Sequence, residues 1–109
     1  MADLTLQRFS TTAAGDVTFT AADVEGDTIP NPRGKAVLIV ENDSAGAVTV
    51  KADASIPCNH GVYHNLSYDV GAGEIALIPL HKRLNSETDI VSVTYTAVES
   101  VTVAAVEIS

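Results

Sequence analysis

The stretch IVSVTYTA, residues 90–97, decides the fold because apolar and polar side chains alternate through it one by one. Side chains in a β-strand point to opposite faces in turn, so one face receives the apolar members and the other receives the polar ones. The apolar face carries Val91, Val93, Tyr95 and Ala97, and the polar face carries Ser92, Thr94 and Thr96. This pattern is typical of an antiparallel strand with one side in a core and the other in water.

The same alternation recurs earlier in the chain. AVTVKAD, residues 47–53, places Val48, Val50 and Ala52 on one face, and LSYDV, residues 66–70, follows the same rule. Val, Ile, Thr and Tyr dominate these runs, and their branched or aromatic side chains suit a pleated sheet. We find no helical pattern, and the strand-like runs indicate about seven or eight short strands.

Two stretches are apolar on both faces. In KAVLIVEN, residues 35–42, an uninterrupted apolar run predicts a central strand whose far side is covered by a second layer or by a partner. In VTVAAVEIS, residues 101–109, Val101 and Val103 occupy the inner face. The apolar pattern then shifts by one position, to Val106 and Ile108 on either side of Glu107. Either a bulge near residues 104–105 turns this strand, or both of its faces are buried.

Three segments with turn-forming residues join these strands: ENDSAGA (41–47), DVGAGE (69–74) and TAVESV (96–101). We expect each to close an antiparallel hairpin. The fold class is then all-β, a single antiparallel β-sandwich of jelly-roll-like type over residues 17–109. Residues 1–16 are more weakly patterned and predict a frayed first strand or an N-terminal arm.

Composition narrows the function classes. A length of 109 residues suits one domain, and the single cysteine excludes an internal disulfide. No leader-like segment and no run of about 20 apolar residues is present, so we expect a soluble protein without a membrane span, made in the cytoplasm. The net charge of −8 disfavours nucleic acid, and the absence of Trp weakens the case for sugar or base stacking.

The segment CNHGVYH, residues 58–64, holds the strongest candidate for a site, because Cys58, His60 and His64 are zinc-type donors. Structural zinc sites pair two couples of ligands that lie far apart in the sequence, and no second couple is present. A fourth donor would have to come from Asp69, Glu74 or His81. We interpret the segment as a solvated loop that binds metal incidentally if at all, and we assign no metal, cofactor or small-molecule substrate.

No catalytic arrangement emerges, and we predict that the chain is not an enzyme. Cys58 has histidines nearby in the sequence but no third group to orient a nucleophile and its base. His60 and His64 are separated by three residues, whereas the cupin enzymes use histidines separated by one. The GAG run at residues 71–73 lacks the lysine and the helix of a phosphate-binding loop.

A set of short motifs occurs in a fixed order along the chain. They are GDTIPN at Gly26–Asn31, LIVEN at Leu38–Asn42, VTV at Val48–Val50, AGE at Ala72–Glu74, a strand ending at Pro79, and VTYTAVESVTVAA at Val93–Ala105. Their order and spacing resemble a family of small bacteriophage structural proteins that decorate the capsid exterior. The resemblance spans about residues 24–108 and includes neither the first 16 residues nor the segment CNHGVYHN.

The resemblance implies a non-enzymatic virion protein that binds the outer surface of the capsid and reinforces it against the pressure of the packaged DNA. The implied partners are the major capsid protein and further copies of the chain, with a homotrimer expected by analogy. A trimer that engages several capsid subunits at once would gain avidity.

Two other function classes stay open on the sequence. One is a β-sandwich module of a phage tail or fibre that recognises a cell-surface glycan through Tyr63 or His64. The other is a small metal-dependent enzyme that uses Cys58, His60 and His64. The number of copies per virion distinguishes a tail or fibre module from a decoration protein. Stoichiometric zinc in the purified chain would support the metal-dependent enzyme.

The alternation in residues 90–97 makes a stability prediction. Val93→Asp should lower the free energy of unfolding by about 3 kcal/mol or more, because it places an unpaired charge on the core face. Thr94→Asp, on the opposite face, should change it by about 0.5 kcal/mol or less in the isolated chain. Urea denaturation of both variants measures the difference, and equal losses would contradict the assignment of faces.

Overall fold

The computed structural model describes residues 2–9, 15–53, 66–80 and 90–108. These residues form strands and no helix, which confirms the predicted all-β class. The strands are β1 (Ala2–Asp3), β2 (Leu6–Phe9), β3 (Thr20–Ala21), β4 (Asp27–Pro30), β5 (Val37–Asn42), β6 (Val48–Asp53), β7 (Leu66–Val70), β8 (Ile75–Pro79), β9 (Ile90–Tyr95) and β10 (Val101–Ile108).

The strands form two five-stranded sheets, more strands than the seven or eight expected. Sheet A has the order β1-β4-β9-β6-β7, and sheet B has the order β2-β10-β5-β8 with β3 also paired to β10. Most neighbours are antiparallel, but β1 pairs with β4 and β2 pairs with β10 in parallel. All described pairings within residues 17–109 are antiparallel, as predicted, and the two parallel pairings both involve residues 2–9, outside the predicted sandwich.

Both sheets contribute to one hydrophobic core, as the two layers of a β-sandwich do. Side chains at alternate positions face it, including Val91 and Val93 from sheet A and Leu38 and Val40 from sheet B, all with no exposed area. Val48, Val50 and Ala52 are also buried, while Thr94 is exposed. The predicted assignment of faces is confirmed for these strands.

The three predicted hairpins are wrong. Residues 43–47 lead from β5 in sheet B to β6 in sheet A, and residues 71–74 lead from β7 in sheet A to β8 in sheet B. Residues 96–100 lead from β9 in sheet A to β10 in sheet B. A short polar turn suits an arch between layers as well as a hairpin, because its composition specifies a change of direction and not the hydrogen-bonding partner.

The last strand is buried on both faces, as one of the two alternatives for it predicted. Residues 101–106 pair one to one with β5, so no bulge interrupts β10 in this register. Val101, Val103 and Ala105 belong to the shared core, whereas Ala104 and Val106 are buried on the outer side of sheet B. Residue 107 points to the same side of β10 as Val101, Val103 and Ala105. A glutamate carboxylate therefore occupies a position where an aliphatic side chain is usual.

One buried asparagine joins two of the three polar arches, residues 43–47 and 71–74, and the residue after it contacts the third. The Asn42 Nδ2 donates to the carbonyl oxygens of Gly46 at 2.9 Å and Val70 at 3.0 Å, and its Oδ1 accepts from the Ser44 amide at 3.0 Å. The Asn42 backbone exchanges hydrogen bonds with residues 73 and 74, and the next amide, at position 43, donates to the carbonyl of residue 100. The side chain has no exposed area, so these groups depend on one another for partners.

This arrangement predicts a large cost for Asn42→Ala. The variant leaves buried backbone carbonyls and an amide without partners, so the free energy of unfolding should fall by about 2–4 kcal/mol. Ser44→Ala is the matched control, since its amide can still donate to Asn42, and it should cost about 1 kcal/mol or less. Denaturant unfolding compares the two, and a similar loss in both variants would contradict the central role of Asn42.

Candidate interaction surface

The outer face of sheet A is polar. Thr28 lies beside Ser92, and Lys51 lies between Thr94 and Ser67 on the strands to either side. Hydrogen bonds connect several of these side chains across strands: the Thr49 hydroxyl donates to the Asp69 carboxylate at 2.7 Å, and the Thr28 hydroxyl donates to Asp3. This face is the solvated side that alternating strands predict.

The outer face of sheet B is apolar. On β8 and β5, Leu77 lies beside Ile39 and Pro79 lies beside Val37, while Ile75 continues the row. We call these five residues the apolar strip. Ile75 and Leu77 are 63% and 67% exposed, and Val37 and Ile39 are partly exposed. An exposed row of large aliphatic side chains on adjacent strands is the kind of surface that proteins use for contacts with partners.

The position of β8 explains the exposure. It is the last strand of sheet B in the described part of the chain, with β5 on one side only. Its inner residues Ala76 and Ile78 are buried in the core, while its outer residues are exposed, with no layer above them among the described residues. Covering the side chains of Ile75 and Leu77 would stabilise an assembly by about 1–2 kcal/mol each, given the area that they still expose.

Charges of opposite sign lie at the two ends of the apolar strip. Burial alternates without interruption from residue 35 to residue 42, so Lys35, two residues before β5, shares the outer side of sheet B with Val37, Ile39 and Glu41. The Lys35 end also has Arg33 nearby in the chain, and the Glu41 end has the exposed Glu74 just before β8. The face is thus cationic at one end and anionic at the other.

The segment around Thr18 covers the half of the outer face of sheet B that lies near β2 and β10. The Gln7 side-chain amide donates to the Thr18 carbonyl and accepts from the Thr18 amide, both at 2.8 Å. A shallow groove of about 460 Å³ lies beside this contact, with Ala104 and Thr20 in its wall. The groove marks the place where β2 and β3 share one edge of β10, and its lining is mostly aliphatic carbon and hydroxyl groups.

Sheet A holds a buried tyrosine and carboxylate pair. The Tyr95 hydroxyl donates to Asp27 Oδ2 at 2.7 Å, and Asp27 has no exposed area. Burial raises the pKa of Tyr95 well above its ordinary value, and the hydrogen bond to Asp27 and the charges of Asp27 and Asp23 raise it further. Gly26 is required beside this pair, since its φ is 100° and a Cβ there would lie 2.6 Å from the Val93 carbonyl oxygen.

A second buried carboxylate lies at the end of β10. Glu107 is 1% exposed, and its Oε1 lies 3.3 Å from Nη1 of Arg33, a side chain that is 55% exposed. Neither Glu107 oxygen has a hydrogen-bond partner within the described residues. This ion pair ties the loop before β5 to the last strand.

The candidate zinc donors Cys58, His60 and His64 lie outside the described residues, as do Tyr63 and His81. Among the residues that are described, no group of three or more histidine, cysteine or acidic side chains could hold a metal ion. The same ranges contain no helix long and apolar enough to cross a bilayer. The absence of an assigned catalytic, cofactor or metal residue stays a prediction.

The sequence predicted one of the two strands that form the apolar strip, namely β5. The doubly apolar pattern of KAVLIVEN predicted that a second layer or a partner would cover the far side of β5, and that side carries Val37 and Ile39. The stretch EIALIPL has the same doubly apolar pattern, with Ile75 and Leu77 in one parity and Ile78 in the other. That signal was present, but a strand at the edge of a sheet cannot be told from a central one without the pairing.

Comparison with protein-family models, with curated proteins and with solved structures finds no match to this chain.

The raised pKa of Tyr95 predicts a pH dependence of stability. The unfolded chain loses the phenolic proton near the ordinary pKa of 10.0, whereas the folded chain keeps it. The stability due to this group is complete below about pH 10 and is lost as the pH rises above that value. In Tyr95→Phe the alkaline fall in unfolding free energy should be shallower than in the wild type.

At neutral pH, Tyr95→Phe should cost about 1–3 kcal/mol, because the buried Asp27 loses a hydrogen-bond donor. Tyr68→Phe is the matched control, since Tyr68 is 52% exposed and its hydroxyl lies outside the core. It should change the unfolding free energy by about 0.5 kcal/mol or less. Urea denaturation from neutral to alkaline pH tests both statements, and an unaltered alkaline slope in Tyr95→Phe would refute the assignment.

Proposed function

We propose that this chain is a non-enzymatic structural protein of a bacteriophage virion that binds the outside of the capsid and stabilises it. The observation that carries the proposal is the exposed apolar strip, because such a surface fits a protein that functions in an assembly. The resemblance of the motif order to capsid decoration proteins supports the same conclusion. Its partners are the major capsid protein and other copies of the chain, as a homotrimer.

The motifs behind the resemblance coincide with structural positions. Gly26 occupies a positive-φ position beside the core, and the buried Asn31 bridges the Ala36 amide and the Leu80 carbonyl at 3.0 Å each. Asn42 bonds to two of the three arches described above. The residues that carry the resemblance are therefore ones that shape the domain, which supports a shared fold more directly than a shared ligand.

The finer fold within the proposal is a jelly roll. In the order β3-β10-β5-β8 for one layer and β4-β9-β6-β7 for the other, the chain changes sheet at each step except from β6 to β7. Two layers of four strands with this alternation are the arrangement expected of a jelly roll, which is common among viral capsid proteins. Residues 2–9 then add one short strand to the edge of each layer.

The second candidate function is a tail or fibre module that binds a cell-surface glycan. The observation that favours it is Tyr68, an aromatic side chain 52% exposed on β7, since sugars bind to exposed rings. Tyr63 and His64, the residues first suggested for such a role, lie outside the described part of the chain. This function requires far fewer copies per particle than capsid decoration does.

Quantitative peptide mass spectrometry of purified particles tests the proposal. We expect about one copy of this chain per copy of the major capsid protein, or a simple fraction of it if a trimer serves several subunits. Particles stripped of the chain should lose their DNA at a lower temperature than complete ones and should recover when purified protein is added back.

A copy number far below that of the capsid protein would favour the tail or fibre module instead. Absence of the chain from purified particles would refute both candidates. Stripped particles that are as heat-stable as complete ones would leave decoration in place but refute the stabilising role.

A further inference from the structure

We propose that the outer face of sheet B is the surface through which two copies of this chain associate about a twofold axis. The proposed function requires copies to meet on a shell, and this inference deepens it by naming the surface and the symmetry of one such contact. The contact is additional to any threefold contact within a trimer, so it would join two trimers or two single chains.

The apolar strip sets the chemistry of the partner surface. Ile75, Leu77 and Pro79 on β8 and Val37 and Ile39 on β5 form one row of aliphatic side chains, so the surface that covers them has to be aliphatic as well. A second copy offers the same strip. The outer face of sheet A does not, because its hydroxyl and charged side chains would lose water without gaining partners.

The charges at the ends of the strip select the orientation of the second copy. Lys35 and Glu41 are six positions apart on the outer side of sheet B, which corresponds to about 20 Å along a strand. If the two copies are related by a twofold axis that lies between the sheets and runs across the strands, Lys35 of each copy faces Glu41 of the other. Val37 of one copy then lies over Ile39 of the other.

The alternative stacking, with strands of the two copies pointing the same way, is disfavoured. It would place Lys35 over Lys35 and Glu41 over Glu41, and like charges placed together across an interface are repulsive. The face is therefore complementary to itself in one orientation only, as a twofold interface requires.

A stable interface buries about 800 Å² on each partner, so the contact would extend from the apolar strip onto the side chains around it. The apolar strip would form its centre, and the charged ends would lie at its rim.

The first test is the mass of the purified chain in solution by sedimentation equilibrium, without particles. We expect an even number of chains, a dimer or a pair of trimers. Leu77→Asp should raise the dissociation constant of the paired form about thirtyfold or more, because Leu77 lies in the middle of the contact. Thr94→Asp, at an exposed position on the outer face of sheet A, is the matched control and should leave the mass unchanged.

The second test exchanges the end charges. Lys35→Glu alone and Glu41→Lys alone should each weaken the pairing about tenfold, because each creates two like-charge contacts in a twofold pair. Mixing the two variants should restore pairing as a heterodimer. The carboxylate introduced at position 35 of one chain then faces the ammonium group introduced at position 41 of the other, and an unaltered Lys35 and Glu41 meet at the opposite end. Both positions are on the outer side of sheet B, so the circular dichroism spectra should match the wild type, as should the denaturant midpoints at concentrations where all chains are unpaired.

Several results would overturn the proposal. A wild-type chain that sediments as a monomer or as a single trimer would exclude the pairing, and so would an unchanged mass for Leu77→Asp. Dissociation by Thr94→Asp but not by Leu77→Asp would move the contact to sheet A. A mixture of the two charge variants that stays unpaired would refute the twofold orientation. None of these results depends on capsid binding, which is measured separately on particles.

Discussion

The side chain of Asn42 is the constraint on which the rest of the structure depends. It lies at the end of β5, has no exposed area, and satisfies backbone groups in two of the three polar arches described above. The third arch is reached through the neighbouring amide at position 43. Since each arch moves the chain from one layer to the other, this asparagine holds the two sheets together at the end of β5, and its bond to the Val70 carbonyl is buried.

The two layers differ in what they present to the outside. Sheet A has hydroxyl and charged side chains on its outer face, which need no further cover. Sheet B is apolar on both of its faces, and residues 15–18 shield only the half near β2 and β10 through the contact between Gln7 and Thr18. The half formed by β5 and β8 keeps its aliphatic side chains exposed. An assembly protein with one solvated layer and one contact layer is the simplest account of this asymmetry.

Much of the apolar strip could be predicted from the sequence. The doubly apolar pattern of residues 35–42 predicted a covered far side, and Val37 and Ile39 lie there. The matching pattern around Leu77 was not interpreted, because it has two meanings. In a central strand it indicates burial on both sides, whereas in an edge strand it indicates an exposed contact face. The choice between these depends on strand order, which long-range pairing decides. Lys35 and Glu41 are placed on the same side only by the burial pattern, which alternates without a break from residue 35 to residue 42.

The sequence by itself determined the all-β class and the inner face of most strands, because alternation is a local property: residues such as Val91 and Val93 face the core in any sheet that accepts the strand. Only the tertiary structure decided that the three polar turns are arches and not hairpins, that residues 2–9 join both sheets in parallel, and that Glu107 is buried beside Arg33. The physical reason is that every strand edge offers the same backbone donors and acceptors. Partner and register are therefore selected by how the side chains of the whole chain pack together.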